Sequence, residues 1–164
     1  MKKYDCLFIG NAIVDVVANV SFEFLKDQNI DVGSWRPTTL DEISQLQNKM
    51  ENILVASGGS AANSAVGFSL LGGESSFIGR VKADEFGELY VKDLQDANVD
   101  FVSSAVSDGD ETGRCLVYVT PDAQRSMRTY LGAASNLSPD EINDSSVEES
   151  EFIYMEGYLW DEPI

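Results

Sequence analysis

"SGGSAANSAVGFSLLGG", residues Ser57 to Gly73, places two glycines and a run of small residues directly ahead of a helical pattern. The spacing of Ala62, Ala65, Val66, Ser69 and Leu70 predicts a helix from about Ser60 to Leu71 with one packed face, stopped by Gly72 and Gly73. Gly58 and Gly59 imply a tight bend or the close approach of another group at the helix start. "NILVASGG" supplies a short strand before them, so strand, glycine turn and helix follow in the order that sets a helix N-terminus at the end of a sheet strand.

A helix N-terminus exposes free N–H groups and the positive end of the helix dipole, which suit a phosphate, a hydroxyl or a carboxylate. The turn has neither the Gly-Lys-Ser/Thr of a P-loop nor the three-glycine spacing of a dinucleotide fingerprint. A generic glycine turn is more often a structural bend. Asn63, one turn into the helix, adds an amide that can hydrogen-bond a polyol or simply face solvent.

Outward from this core, strands and helices alternate, which argues for a parallel α/β sheet. "YDCLFIG" reads as a buried strand from Asp5 to Ile9, followed by a second extended piece through Ile13 and Val14 to Val20. "TLDEISQLQNKM" carries a capping box at Thr39 and Glu42 and a helical stripe of Leu40, Ile43, Leu46 and Met50. "SSFIG" is a strand, and a helix from about Asp84 to Ala97 turns Phe86, Leu89, Tyr90 and Leu94 inward. "TGRCLVYVT", "PDAQ" and "RSMRTYLGA" read as a hairpin, the kind of insertion that serves as a flap on an α/β sheet. Ser138 to Glu141 opens another capped helix, and "EFIYMEGYLW" is a further strand ending near Glu156. The chain then stops at Trp160 to Ile164 with no following helix to cover that strand.

Composition sets limits. The chain has 164 residues, enough for one domain with a core, and no secretory signal or membrane-span pattern, so it reads as cytoplasmic. Histidine is absent, which removes Ser-His-Asp and Cys-His nucleophile systems and the usual zinc clusters; no metal site is expected. The two cysteines, Cys6 and Cys115, lie in apolar runs and read as reduced core residues. A formal charge of −17 repels nucleic acid and anionic lipid and reads as a solvated acidic surface.

Asp15 interrupts the apolar run between Val14 and Val16. Burying an unpaired carboxylate is costly, so it faces either a polar cleft, where it can grip adjacent sugar hydroxyls, or solvent on an edge strand. Asn11, four residues earlier, can join the same site.

"GNAIVDV", "SGGSAANSAVGFSLLGG", "FIGRVKADEFGE", "TGRCLVYVTPDAQRSMRTYLGA" and "YMEGYLW" occur in the order, and at about the spacing, of the N-terminal half of PfkB kinases, the ribokinase-like family. The resemblance covers essentially the whole of residues 1–164 and implies the N-terminal part of a three-layer α/β/α core with a small β-strand lid, lid segments falling at about 18–38 and 112–131. It implies an ATP- and Mg2+-dependent transfer of the γ-phosphoryl group to the hydroxymethyl group of a sugar or nucleoside. Asn11, Asp15, Gly58, Gly59 and Asn63 would then bind sugar hydroxyls. "GNAIVD" and "QRSMRTYL" are most similar to adenosine kinases; by that similarity Ile13, Met127 and Thr129 line the nucleobase side. Arg125 would approach the acceptor or the transferring phosphate, although an exposed hairpin arginine fits it equally well, and Glu156 matches a sugar-contacting position of some members. Ribokinase- or fructokinase-like sugar chemistry, a non-catalytic binding module and a half-kinase with a separate partner are the competing readings.

The family's second signature, with its anion hole and catalytic aspartate, has no counterpart here, and the ATP and magnesium sites belong with it. The resemblance therefore implies that this chain alone is inactive. It also allows pairing across a homodimer through the lid. Ala123, where relatives often carry glycine, suggests a lid turn without a positive φ.

Overall fold

The computed structural model describes residues 2–160. The expectation for the chain end at Asp161 to Ile164 lies outside them. In chain order the strands are Tyr4–Ile9 (β1), Ile13–Asn19 (β2), Trp35–Pro37 (β3), Leu54–Gly58 (β4), Ser75–Ile78 (β5), Val99–Phe101 (β6), Gly113–Val119 (β7), Arg125–Tyr130 (β8) and Ser150–Met155 (β9). The helices are Phe22–Asp27 (α1), Leu40–Gln47 (α2), Ser60–Leu70 (α3), Glu85–Asp96 (α4) and Asp144–Glu148 (α5).

β1 is buried at every position but Asp5, as an apolar run in mid-sheet should be. It pairs in parallel with β5 and β9, and β5 pairs in parallel with β6, giving the order β6-β5-β1-β9. Cys6, Phe8 and Phe77 meet Ala61, Ala62 and Ala65 of α3 and Tyr90 and Leu94 of α4 on one face. Leu7, Ile9 and Ile78 pack on the other face against Leu137, Ile142 and Val147. Leu7, Phe77 and Leu94 are each fully buried, contributing about 1.5–3 kcal/mol apiece.

The remaining strands form a second, mixed sheet of order β3-β8-β7-β2-β4, in which β2 is antiparallel to β4 and parallel to β7. Its outer face, with Val16, Ala18, Leu116 and Tyr118, is covered by Leu25 of α1 and by Ile43 and Leu46 of α2. The expected hairpin is present, β7 and β8 pairing from Arg114↔Tyr130 to Val119↔Arg125. The sheet around it takes in Ile13–Asn19 and Leu54–Gly58, beyond segments 18–38 and 112–131. The strand ahead of the glycine turn thus ends a strand of the second sheet and not of the parallel one. Alternation of strand and helix cannot show this, because which sheet a strand joins depends on distant partners.

Four local expectations are corrected. Leu70 is 78 % exposed, not packed. At about 100° per residue it lies about 130° round the helix from the arc centred on Ala61, Ala62 and Ala65. Ala123 does adopt a positive φ, +64°. Thr120 N–H donates to the Gln124 carbonyl at 3.0 Å, leaving Pro121, Asp122 and Ala123 as a three-residue loop whose last residue must turn left-handed. At the start of α2 the Thr39 hydroxyl accepts from Glu42 N, but the Glu42 carboxylate turns away to Arg36 and Thr38, so the box is half made. The Ser138–Glu141 box is complete, yet it caps a short 3-10 turn, and α5 starts afresh at its own cap, Asn143.

Candidate functional site

The site is built where β1 ends, where β2 begins and where β4 enters α3. Gly59 has φ +88°, and a Cβ there would collide with the Asn11 carbonyl oxygen, so this turn needs glycine. A Cβ on Gly58 would lie 2.5 Å from Asp15 Cγ. The bare backbone at Gly58 is therefore what lets the Asp15 carboxylate sit against the turn. Asn11, Asp15, Gly58 and Gly59, named separately along the sequence, come together here.

The N-terminus of α3 is taken by a group from the far end of the chain. Glu156 N–H donates to the Ile9 carbonyl at 3.2 Å, continuing the β1–β9 ladder by one step and bringing its side chain to the helix. One carboxylate oxygen accepts from Asn11 N–H at 2.6 Å; the other accepts from the Ser60 hydroxyl at 2.5 Å and from Ala61 N–H at 3.0 Å. Gly10 makes room for this, since a Cβ there would lie 2.6 Å from Glu156 Cδ. Glu156 is 3 % exposed, and its acceptor contacts go to the chain itself. The helix dipole thus holds an internal carboxylate, and the Asp15 carboxylate lies against the glycine backbone beside it.

Behind the turn, Tyr90 of α4 donates its hydroxyl to the Gly58 carbonyl at 3.3 Å, and Asp93 accepts from Ser57 N–H at 2.8 Å. Burial, with the charges of Glu156 and Asp15 adding to it, pushes the Tyr90 phenol well above its ordinary range. Asn63 lies exposed on α3, one turn beyond these groups, its backbone N–H donating to Gly59 O at 2.9 Å.

Asp15 lies on β2 between β7 and β4, in the middle of the second sheet and not on an edge. Its row across the sheet is Ala56, Cys115 and Thr129. Alternation puts Ile13, Met127 and Arg125 on the same face, so those sequence-named residues share it with Asp15. Burial raises the Asp15 carboxyl above its ordinary value, and Arg125 pulls it partly back. Ile13 is buried with Cys115, Val117 and Ala134 and forms the floor of the face. Arg125 is exposed at the end of the hairpin. The Thr129 hydroxyl donates to Cys115 Sγ at 3.3 Å and accepts from Trp35 Nε1–H at 3.1 Å. Burial pushes the Cys115 thiol up to about 11, and both cysteines are free thiols.

Sequence reading missed Tyr90, Asp93 and Trp35. Tyr90 was visible only as a core residue, and nothing in the sequence singled out Asp93 or Trp35. Among the described residues no group of acidic or sulfur ligands is placed to hold a metal ion, and no helix is long and apolar enough to cross a membrane.

A parallel sheet flanked by helices, with a polar cluster at the carboxyl ends of its strands, is the layout in which open α/β folds carry their ligand sites. The family model of the pfkB carbohydrate kinases matches residues 25–163, and the chain belongs to that family. The fold matches the structure of adenosine kinase from Sinorhizobium meliloti (TM-score 0.89, 40% identity), covering 98% of this chain and 49% of that one. It also matches a probable sugar kinase from Rhizobium etli CFN 42 (TM-score 0.90, 36% identity), covering 99% of this chain and 49% of the other. Among curated proteins, the probable chloroplastic fructokinase-6 of Arabidopsis thaliana is 36% identical over 86 residues, which span 52% of this chain and 22% of that protein. The 5-dehydro-2-deoxygluconokinase of Bacillus licheniformis is 26% identical over 159 residues, 95% of this chain and 42% of that protein. The chain spans about half the length of these solved structures and less than half of these curated relatives.

Proposed function

We propose that this chain is the acceptor-binding part of an ATP-dependent kinase acting on the hydroxymethyl group of a nucleoside or sugar, with a nucleoside favoured. The observation that carries the proposal is the half-buried Asp15 carboxylate against the bare backbone of Gly58. A carboxylate in that position accepts from two neighbouring hydroxyls of one ring, and the glycines let the ring approach the main chain. The second sheet acts as the lid, Ile13 and Met127 forming its apolar side and Arg125 standing at its open end. Glu156 positions the turn through Asn11, Ser60 and Ala61 and leaves the hydroxyls to Asp15.

The residues present do not fit ATP and Mg2+. The α3 N-terminus already holds the Glu156 carboxylate, no acidic cluster for a metal exists among the described residues, and the net charge of −17 opposes a polyphosphate. In this proposal both belong to a part of the kinase that the chain does not span, along with the base that takes the acceptor proton.

Adenosine is favoured by the 40% identity to an adenosine kinase over nearly the whole chain, whereas fructokinases match over about half of it. Fructose is the second reading, supported by that 36% identity. Calorimetric titration of the chain with adenosine, ribose and fructose, without ATP, tests both. Adenosine binding that is lost in Asp15→Ala supports the first reading, and fructose binding alone supports the second. No binding of any acceptor, or turnover of ATP by this chain, overturns the proposal.

A further inference from the structure

We infer that the open edge of β9 docks a second copy of this chain, strand against antiparallel strand about a two-fold axis at Ile153. An edge strand offers free N–H and C=O groups to any other strand, and proteins blunt such edges with charge, proline, brevity or cover. Three of the four sheet edges among the described residues are blunted. β6 and β3 have three residues each, and β3 carries Arg36 and Pro37. On β4 the Ser57 N–H is taken by Asp93. β9 has six residues, no proline or lysine, and Glu151 as its one charge.

The side chains along this edge are uncovered as well. Phe152, Ile153, Tyr154, Met155, Tyr158 and Trp160 are between 42 % and 66 % exposed. At about 200 Å² for a large side chain, they leave roughly 700 Å² of mainly apolar surface. The largest apolar patch of a monomer is about 300–600 Å², whereas a stable interface takes about 800 Å² from each partner. The patch is thus sized for a partner, and a second copy supplies an equal one.

The backbone sets the register. Glu156 N–H donates to the Ile9 carbonyl, so by alternation the peptide groups of Glu151, Ile153 and Met155 point to the open side. An axis at Ile153 opposes Ile153 to its own copy and Glu151 to the partner's Met155, and each such pair exchanges both main-chain bonds. Phe152 then faces the partner's Tyr154 in the closer, non-hydrogen-bonded kind of pair, on the face where Tyr154 already meets the Phe8 ring at 5.4 Å. An axis at Glu151 would set like charges opposite each other, and one at Met155 would carry Ile153 past the end of the partner's strand. The contact joins two four-stranded sheets and, being two-fold, closes at the dimer.

The test is sedimentation equilibrium of the chain at about 100 μM, in about 0.5 M salt so that repulsion between two chains of charge −17 is screened beyond about 4 Å. The expected mass is that of two chains. Ile153→Lys, which sets two ammonium groups opposite each other at the axis, should return it to one, whereas Leu71→Lys, at another exposed apolar residue, should leave the dimer intact. A second pair of variants keeps the strand apolar or neutral. Ile153→Cys places two thiols on Cα atoms about 5.5 Å apart, within disulfide reach, and should give a covalent dimer with oxidised glutathione. Glu151→Cys lies about 14 Å from its own copy and should not; the native Cys6 and Cys115 are buried. A monomer at this concentration overturns the inference and assigns the edge to another occupant, such as a further part of the kinase. A dimer that survives Ile153→Lys, a covalent dimer through Glu151→Cys in place of Ile153→Cys, or a species larger than a dimer also overturns it. None of these results touches the acceptor reading, because Asp15 lies on the second sheet.

Discussion

Replacing Glu156 by Gln tests whether the buried carboxylate holds the site together. Both oxygens accept, one from Asn11 N–H, the other from Ala61 N–H and the Ser60 hydroxyl. A glutamine must turn its NH2 toward one set of donors. The Ser60 hydroxyl can rotate to accept from it, but the backbone N–H groups cannot. The better orientation therefore keeps the Asn11 bond and leaves Ala61 N–H facing another donor. An orphaned buried N–H costs about 1–3 kcal/mol. The Asn11 bond loses its charge assistance, and the negative charge at the N-terminus of α3 is gone, a loss of about 0.3–1 kcal/mol more. Burying a neutral amide in place of a carboxylate gives part of this back. The net expectation is a destabilisation of about 2–3 kcal/mol. Urea unfolding followed by circular dichroism should then show the midpoint falling by about 1–2 M with an unchanged slope. A midpoint within about 0.3 M of the parent, or above it, would refute the reasoning, since it would mean that desolvation of the carboxylate outweighs its three bonds.

Two further expectations concern the second sheet. Ala123→Gly relieves a left-handed alanine at φ +64° and should raise the melting temperature by about 1–3 °C; a fall would contradict the turn geometry. Burial raises the Asp15 carboxyl above its ordinary value in the folded chain, so the folded state holds its proton more tightly than the unfolded state. Its contribution to stability therefore falls as pH rises through that window. Asp15→Asn removes the penalty, and its urea midpoint should exceed the parent's by more at pH 7 than at pH 4; the reverse order would show that Asp15 is not desolvated.

The local elements were legible because each is written in a short window. The α3 pattern after Gly58-Gly59, the helix beginning near Asp84 and the β7–β8 hairpin all follow from spacing and turn length. Three-residue strands were not legible. β3 and β6 carry too few residues for any period, and both form only because a neighbouring strand offers its edge. The site divides in the same way. Asp15 stood out as a charge in an apolar run, and the two glycines as a bend with a reason. Tyr90 and Asp93 carried no such mark, since a buried tyrosine and a helical aspartate look alike whether or not they hold a loop.

By itself, then, the order of residues determined the longer strands, the helices at Leu40, Ser60 and Glu85, the glycine turn and the family resemblance carried by five ordered blocks. Tertiary structure alone decided that β2 and β4 leave the parallel sheet for a second one, that Glu156 reaches across 95 positions to Ala61 at the start of α3, and that Trp35 is pinned to Thr129. The physical reason is range. Dihedral preference, capping and hydrophobic period act over a few residues, whereas sheet membership and the partner of a buried charge are settled by groups that only the folded chain brings within bonding distance.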